Sequence, residues 1–408
     1  MYWQRTRRLY IDAFSNHPRE IWVLAWLTLI NRAGTMVLPF LSVYATTILG
    51  FSLKEAGLIM AFFGLGSFGG SYFGGKLSDT IGGRKVIIAS LAFSGLGFIS
   101  IQWASTLPQL MLAIFITALL GEAYRPAMST LVAQYVPKQR FGRSMSFIRL
   151  AINLGFSAGP TLGGIIAVSL GYSWLFWIDG LTCMLGAIYF AWASWNWTVE
   201  KTSRKERKVQ DAKGGLPPLR NLAYVLFLIS TLLMAFSFIQ WFHTVPVFLK
   251  TEWHYAENIY GLMMGAGSLL IVLIEMPIIH LVEEGGHRKS ALRWGLLLLA
   301  LSFVCFQLPP TLMICFVASF FMVMGEIFYL PLNNSYSLLL SPDNRRGAYM
   351  SWYWMTWSTA NVLGPSLGFF LIDSLGFAFF WGMLIVLLGT SFLINQRIHA
   401  MEDVQSTG

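Results

Sequence analysis

The chain has 408 residues, of which 56% are hydrophobic and only 12% charged, with a formal net charge of +9. Soluble domains carry about 25% charged residues, so this composition excludes a water-soluble globular protein and indicates an integral membrane protein. The three cysteines, Cys183, Cys305 and Cys315, all lie in apolar runs, and no disulfide framework or metal-ligand spacing follows from them.

The N-terminal basic segment with Arg5, Arg7, Arg8 and Arg19 leads straight into a full-length apolar run with no small-residue cleavage site behind it, so no cleavable signal peptide is expected. Apolar windows of the ~20 residues that cross a bilayer then recur to the end. They predict twelve spans at 21–45, 55–76, 86–105, 108–132, 144–168, 174–197, 221–249, 257–282, 291–308, 311–336, 348–373 and 376–395. With the N-terminus in the cytoplasm, the loops on that side hold Lys76, Arg84, Lys85, Lys138, Arg140, Arg143, Arg288, Lys289, Arg345 and Arg346, whereas the opposite loops hold Lys54 and Lys250. This asymmetry places both termini in the cytoplasm of a multi-pass cytoplasmic (inner) membrane protein. The excess positive charge is then a topology signal that also attracts anionic membrane lipids, and no nucleic-acid partner is needed to explain it.

The chain repeats itself. "YRPAMSTLVAQYVPKQRFGRSMS" (124–146) aligns with "YLPLNNSYSLLLSPDNRRGAYMS" (329–351), matching Tyr124 to Tyr329, Pro126 to Pro331, Pro137 to Pro342, Arg140 to Arg345 and Gly142 to Gly347. "GPTLGG" (159–164) matches "GPSLGF" (364–369) at the same spacing of 205 residues. Two six-helix halves are therefore expected, residues 1–197 and 221–408. They are joined by the charged segment "TVEKTSRKERKVQDAKGGLPPLR" (198–220), which reads as a cytoplasmic linker. Two such halves can rock about a shared interface and expose a central site to each side in turn.

Between the second and third spans stands "GKLSDTIGGRK" (75–85). Gly75 is expected to permit close helix contact, Gly82 and Gly83 a very short turn, Asp79 a helix-end hydrogen bond, and Arg84 and Lys85 cytoplasmic anchoring. The element resembles the G-x-L-x-D-x-x-G-R-K signature of the major facilitator superfamily. That resemblance implies an all-α integral membrane fold of twelve transmembrane helices in two pseudo-symmetric six-helix bundles, with Gly75, Asp79, Gly82, Arg84 and Lys85 forming a conformational latch. Gly83 stands where the family often has a basic residue. "SFIRLAINLGFSAGPTLGG" (146–164) is similar to the family's antiporter signature: Gly155, Gly159, Pro160, Gly163 and Gly164 match, and Ser146 replaces the first glycine. This similarity implies the drug:proton antiporter branch; small residues at four-residue spacing also serve plain helix packing. The arginine this branch carries four residues before the span-4 glycine is replaced by Thr117, while Arg125 lies one turn beyond Gly121.

From Val86 to Gly121 there is no Asp, Glu, Lys or Arg; Glu122 and Arg125 then arrive three residues apart, followed by Pro126. Each intramembrane charge costs roughly 2.5–3.5 kcal/mol on insertion scales, so each marks a candidate site. Glu122 and Glu326 are candidate proton-coupling residues, and Arg32, Arg125 and Arg149 candidate substrate or charge-balancing residues. The family's cavity-lining spans 1, 4, 7 and 10 add Asn31, Gln240 and His243. Burial favours the protonated form of a carboxyl and a nearby guanidinium the ionised form. A carboxylate whose distance to Arg125, Arg149 or Arg32 changes as the halves rock would gain and lose a proton with conformation; a static ion pair between helices is the alternative. No nucleophile–base pair, metal cluster or phosphate loop is present, so an enzyme is not expected. The expected function is secondary transport of a small organic solute, driven by the proton gradient without a cofactor, by a monomer. Efflux by antiport and proton-coupled uptake of a polar or anionic solute such as a peptide, sugar or organic acid both remain open.

Overall fold

In lipid, only a helix satisfies its own backbone groups along a single chain segment, and the apolar runs fold accordingly. The computed structural model describes residues 17–136, 138–197, 216–342 and 346–407, and every regular element among them is helical. In chain order these are α1 (Arg19–Ala33), α2 (Val37–Val43, continued by a π-helical turn Tyr44–Ile48), α3 (Leu53–Ile81), α4 (Gly83–Ile101), α5 (Leu107–Gly121), α6 (Tyr124–Tyr135), α7 (Lys138–Ser169) and α8 (Ser173–Ala193). After a 3-10 turn at Pro218–Arg220 follow α9 (Leu222–Thr251), α10 (Glu257–Glu284), α11 (Arg288–Cys305), α12 (Leu312–Leu339) and α13 (Arg346–Thr407). Most of the expected linker, residues 198–215, lies outside the described residues.

Among the described residues, ten segments are long and apolar enough to cross a membrane. Two expected spans are not separate members of that set. Helix α11 carries Arg288, Lys289 and Arg293 within its 18 residues. The 62-residue α13 joins two expected spans through Gly376, whose φ of 81° and ψ of 165° are not helical.

The chain divides into two compact units. The first gathers the described residues of Met1–Phe51, Leu58–Thr202 and Tyr255–Val272, the second those of Ser52–Gly57, Ser203–His254 and Leu273–Gly408. In the first, α1 packs on α7 and α8, and α4 on α5 and α8, around an apolar cluster that includes Leu24, Leu27, Ile87, Leu131 and Phe190. The start of α10 joins this unit through small residues. Thr161 Oγ1 donates to the Gly261 carbonyl at 3.0 Å, and a Cβ on Gly164 would lie 2.7 Å from the Glu257 carbonyl oxygen. In the second unit α9 packs on α13, and α11 on α12 and α13. Outward faces expose Phe68, Tyr72, Phe73, Trp103, Leu185 and Ile188, which suits a surface solvated by acyl chains.

Glycines set the closest approaches in the first unit. Gly66, Gly70 and Gly74 recur every fourth residue on α3, and a Cβ on any of them would run into residues 115–123 of α5 and its C-terminal end. The glycine expected to permit close contact was Gly75. A Cβ there would meet only Pro126 Cβ, at 3.9 Å, whereas one on Gly74 would lie 2.8 Å from the Ala123 carbonyl oxygen and also crowd its Cα and Cβ. The correction follows from helix geometry: one residue is a turn of 100°, so only one of two adjacent glycines can face a given neighbour. Gly74→Ala is expected to destabilise the protein by about 1–3 kcal/mol through overpacking against backbone. Gly75→Ala should be neutral or stabilising by up to ~1 kcal/mol, since it removes only helix-interior glycine entropy. Thermal unfolding of the two purified variants in detergent checks the contrast.

Candidate functional site

The first span is broken. Helix α1 ends at Ala33, and α2 starts at Val37 after Gly34, Thr35 and Met36. Gly34 is required there because a Cβ would overlap the Thr182 side chain on α8. On another side, Gly155 and Gly159 of α7 press against the backbone of residues 32–35; a Cβ on Gly159 would lie 2.8 Å from the Arg32 carbonyl oxygen and 2.9 Å from that of Thr35. Gly163 follows against Met36 and Phe40, and Pro160 lies within the same helix. A break in a span frees amides that need acceptors. The backbone N–H groups of Met36 and Val37 donate to Asp179 Oδ2 at 3.2 and 3.1 Å. Asp179 is 1% exposed. It is not among the candidates the sequence offers, because no spacing rule connects residue 179 to residue 36.

The fourth span is also broken, between Gly121 and Tyr124. Pro126 has no N–H to offer the Glu122 carbonyl four residues back. That carbonyl accepts instead from Arg125 N at 3.4 Å, a three-residue turn. Ser90 on α4 supplies the missing donor for the carbonyls at the end of α5, its Oγ lying 2.6 Å from Leu120 O and 2.9 Å from Gly121 O. The break turns both charged residues of the "GEAYRP" stretch toward one place. Arg125 Nε and Glu122 Oε2 pair at 2.7 Å, with side-chain exposures of 61% and 15%.

The two breaks border one cavity of about 50 Å³, whose wall includes Arg32, Asn31, Glu122, Tyr124, Arg125 and Asp179. That volume holds one or a few waters. Among the described residues Arg32 makes no ion pair. Its guanidinium carbon stands 5.6 Å from the centroid of the Phe156 ring, its Nε is buried without an acceptor, and it interacts electrostatically with both Glu122 and Arg125. Asn31 Nδ2 donates to Cys183 Sγ at 3.4 Å, and Tyr124 and Thr28 share a hydroxyl–hydroxyl bond of 2.8 Å. The cavity therefore gathers two guanidinium and two carboxyl groups on three broken or glycine-packed helices. It can bind an anionic group at Arg32 or relocate a proton among its acids.

Other expected site residues lie elsewhere. Arg149 is exposed on α7 and does not line this cavity. Glu326 is half-buried on α12, and His243 is half-buried on α9 with no partner at Nδ1. Gln240, expected to face substrate, is fully buried: its Nε2 donates to Gly364 O at 2.9 Å and Phe236 O at 3.2 Å. It fills the gap that Gly364 and Gly368 leave on α13. In the expected latch, Gly82 adopts a φ of 90° before α4. Arg84 caps α8, its Nε donating to Ser194 Oγ at 2.8 Å and its Nη2 to Ala191 O at 3.2 Å. Lys85 is exposed; the side chain of Asp79 lies outside the described residues.

Ser90→Ala would leave two carbonyls at the span-4 break without their donor. It should lower stability by about 0.5–2 kcal/mol, the range for interhelical hydrogen bonds in membranes, and change the transport rate. Thermal unfolding and transport assays on the same preparation check both.

The family model described as Major Facilitator Superfamily matches residues 21–252 and again 226–398. A Na(+), Li(+), K(+)/H(+) antiporter of Planococcus maritimus is 22% identical over 364 residues, covering 82% of this chain and 85% of that protein. Multidrug resistance protein MdtH of Cronobacter sakazakii is 25% identical over 356 residues, 83% of each. Among solved structures, a POT family transporter in complex with 5-aminolevulinic acid superposes with a TM-score of 0.79 at 16% identity, covering 94% of this chain and 98% of that one, a likeness of fold. Relatives that align over most of their length and a family model that matches both halves agree with the broken, glycine-packed spans: the chain belongs to the Major Facilitator Superfamily and is a multi-pass membrane transporter.

Proposed function

We propose that the protein exports a small organic solute across the cytoplasmic membrane in exchange for protons, with Glu122 as the proton carrier. The observation that carries this reading is the Glu122–Arg125 pair at the break in span 4, facing a cavity that also holds the unpaired Arg32. Magnitudes favour an exchangeable pair over a static lock. Breaking a fully buried ion pair costs about 3–5 kcal/mol, but exposed pairs contribute only ~0–1 kcal/mol. With Arg125 61% exposed and Glu122 15% exposed, this pair stands between those limits. Thermal motion and a change in solvation are then enough to trade a guanidinium for a proton. Relatives named as an antiporter and as a multidrug resistance protein support the direction.

The architecture proposed with this function has twelve spans. The bend at Gly376 divides α13 into two spans, and α11 crosses the membrane with its three cations at one end. Two six-helix halves, 1–197 and 221–408, would alternate access about the linker, with both termini in the cytoplasm. One chain, acting as a monomer in its lipids, would supply the whole pathway, and the proton gradient the energy.

A second reading, proton-coupled uptake of an anionic solute, is favoured by Arg32, whose buried Nε lacks an acceptor that a carboxylate or phosphate could provide. Transport of labelled solute in right-side-out and inverted vesicles under an imposed proton gradient separates the two directions. Glu122→Gln is expected to reduce gradient-driven transport to background while solute exchange without a gradient persists. Unchanged uphill transport by this variant would refute the coupling role.

A further inference from the structure

We infer that Asp179 is a proton-operated clasp on the break in span 1. Ionised, it holds the first amides of α2; protonated, it loosens them and lets the span rebend beside Arg32. Three observations carry this. The carboxylate is 1% exposed, and its Oδ2 takes both the Met36 and the Val37 amides at 3.2 and 3.1 Å. Among the described residues it makes no ion pair: Cys183 Sγ lies 3.9 Å from Oδ1, and the Arg32 charge acts on it without direct contact. Yet it borders the same small cavity as Arg32 and Glu122, and a water held there would give protons a route to it. A buried carboxylate without a paired cation is costly, and two backbone donors compensate part of that cost. Hydrogen bonds to an ionised acceptor are roughly twice as strong as those to a neutral one, so a single proton changes the strength of both contacts together.

The surroundings turn that change into motion of span 1. Within span 1, the Gly34 and Thr35 amides donate to the Ile30 and Arg32 carbonyls at 3.1 and 3.2 Å, and Thr35 Oγ1 donates to Asn31 O at 3.1 Å; what ties residues 33–36 to the neighbouring helices is packing and the clasp. Gly34 touches Thr182 on the same helix as Asp179, and Gly155 and Gly159 lie on the opposite side. Loosening the clasp frees the two hydrogen bonds by which α8 holds the start of α2. The titratable and charged groups that face the clasp are Arg32 from α1, Glu122, Tyr124 and Arg125 from span 4, and Cys183 from α8. Because Glu122 and Arg125 pair with one another, Arg32 is the cation whose position is most sensitive to the charge on Asp179. The sign is fixed: the clasp is closed at high pH and open at low pH. Its use in coupling rests on the transport reading above; its existence does not.

The test is hydrogen exchange read by mass spectrometry on the full-length protein in nanodiscs across pH 5 to 9, with labelling times rescaled for the intrinsic exchange rate. In the wild type, the peptide carrying the Met36 and Val37 amides should lose protection by about tenfold, in one step, as pH falls. Asp179→Asn should abolish the step and Asp179→Glu should restore one at a changed midpoint. Glu122→Gln should keep it. A flat wild-type profile overturns the proposal even if Asp179→Asn does not fold, and so does an unchanged step in Asp179→Asn or its loss in Glu122→Gln. Should the step survive in Glu122→Gln while gradient-driven transport also survives, the coupling role of Glu122 fails and the clasp stands.

Discussion

A backbone amide or carbonyl freed inside a bilayer must find its partner within the protein, and this constraint organises the first unit. Spans 1 and 4 are each interrupted, and each interruption is satisfied by a side chain from a neighbouring helix. Asp179 accepts from the amides that begin α2, and Ser90 donates to the carbonyls that end α5. The polarity matches the chemistry. Freed amides attract an acid and freed carbonyls attract a hydroxyl, as expected for helix N- and C-termini. Once the breaks exist, charges beside them are less costly than charges in an unbroken apolar helix, because polar backbone and a water-sized cavity are already present. Arg32, Glu122 and Arg125 occupy that environment.

The glycine-rich segments position these breaks. Gly66, Gly70 and Gly74 let α3 run against span 4 up to Ala123, where that span kinks, and Gly155, Gly159 and Gly163 let α7 run against span 1 through its own break. The sequence repeat shows how alike segments can serve different ends. Gly159 and Gly364 are related by the 205-residue repeat, but their surroundings differ. Opposite Gly159 the backbone of the broken span 1 closes in, whereas opposite Gly364 helix α9 is continuous and the Gln240 side chain fills the space. The first half thus keeps a charged hollow where the second keeps a neutral plug.

Much of this was legible in the sequence because it is local. Apolar run length marks the membrane segments, the repeat marks the duplication, and the charges of Glu122 and Arg125 against an uncharged run mark one wall of the cavity. The merging of α13 across Gly376 and the three cations of α11 blur two spans by length and composition alone. What could not be read depends on contacts across the fold. The choice of Gly74 over Gly75 depends on the rotation of α3 against Ala123, which two adjacent glycines do not reveal. Asp179 is separated from Met36 by most of a half, and its role exists only because Gly34 lets span 1 break beside Thr182. Gln240 looks like a cavity wall from its place on span 7, but its amide is committed to Gly364.

The two acids of the cavity are held by opposite means, and this divides their possible work. Glu122 is paired with a guanidinium that is itself largely exposed, and in the proposed mechanism it is this charge that is exchanged for a substrate or a proton. Asp179 is held by two peptide amides of a helix start, so a change in its charge acts on the course of the chain. A site with only the first would bind and release ions without sensing its own shape; a site with only the second would bend without registering cargo. Between them lies Arg32, which pairs with no carboxylate among the described residues and stands on the last turn before the break. An anionic group or an ionised acid that draws Arg32 must therefore also load the bend, which is the physical link a transporter needs between what it holds and how its first span is shaped.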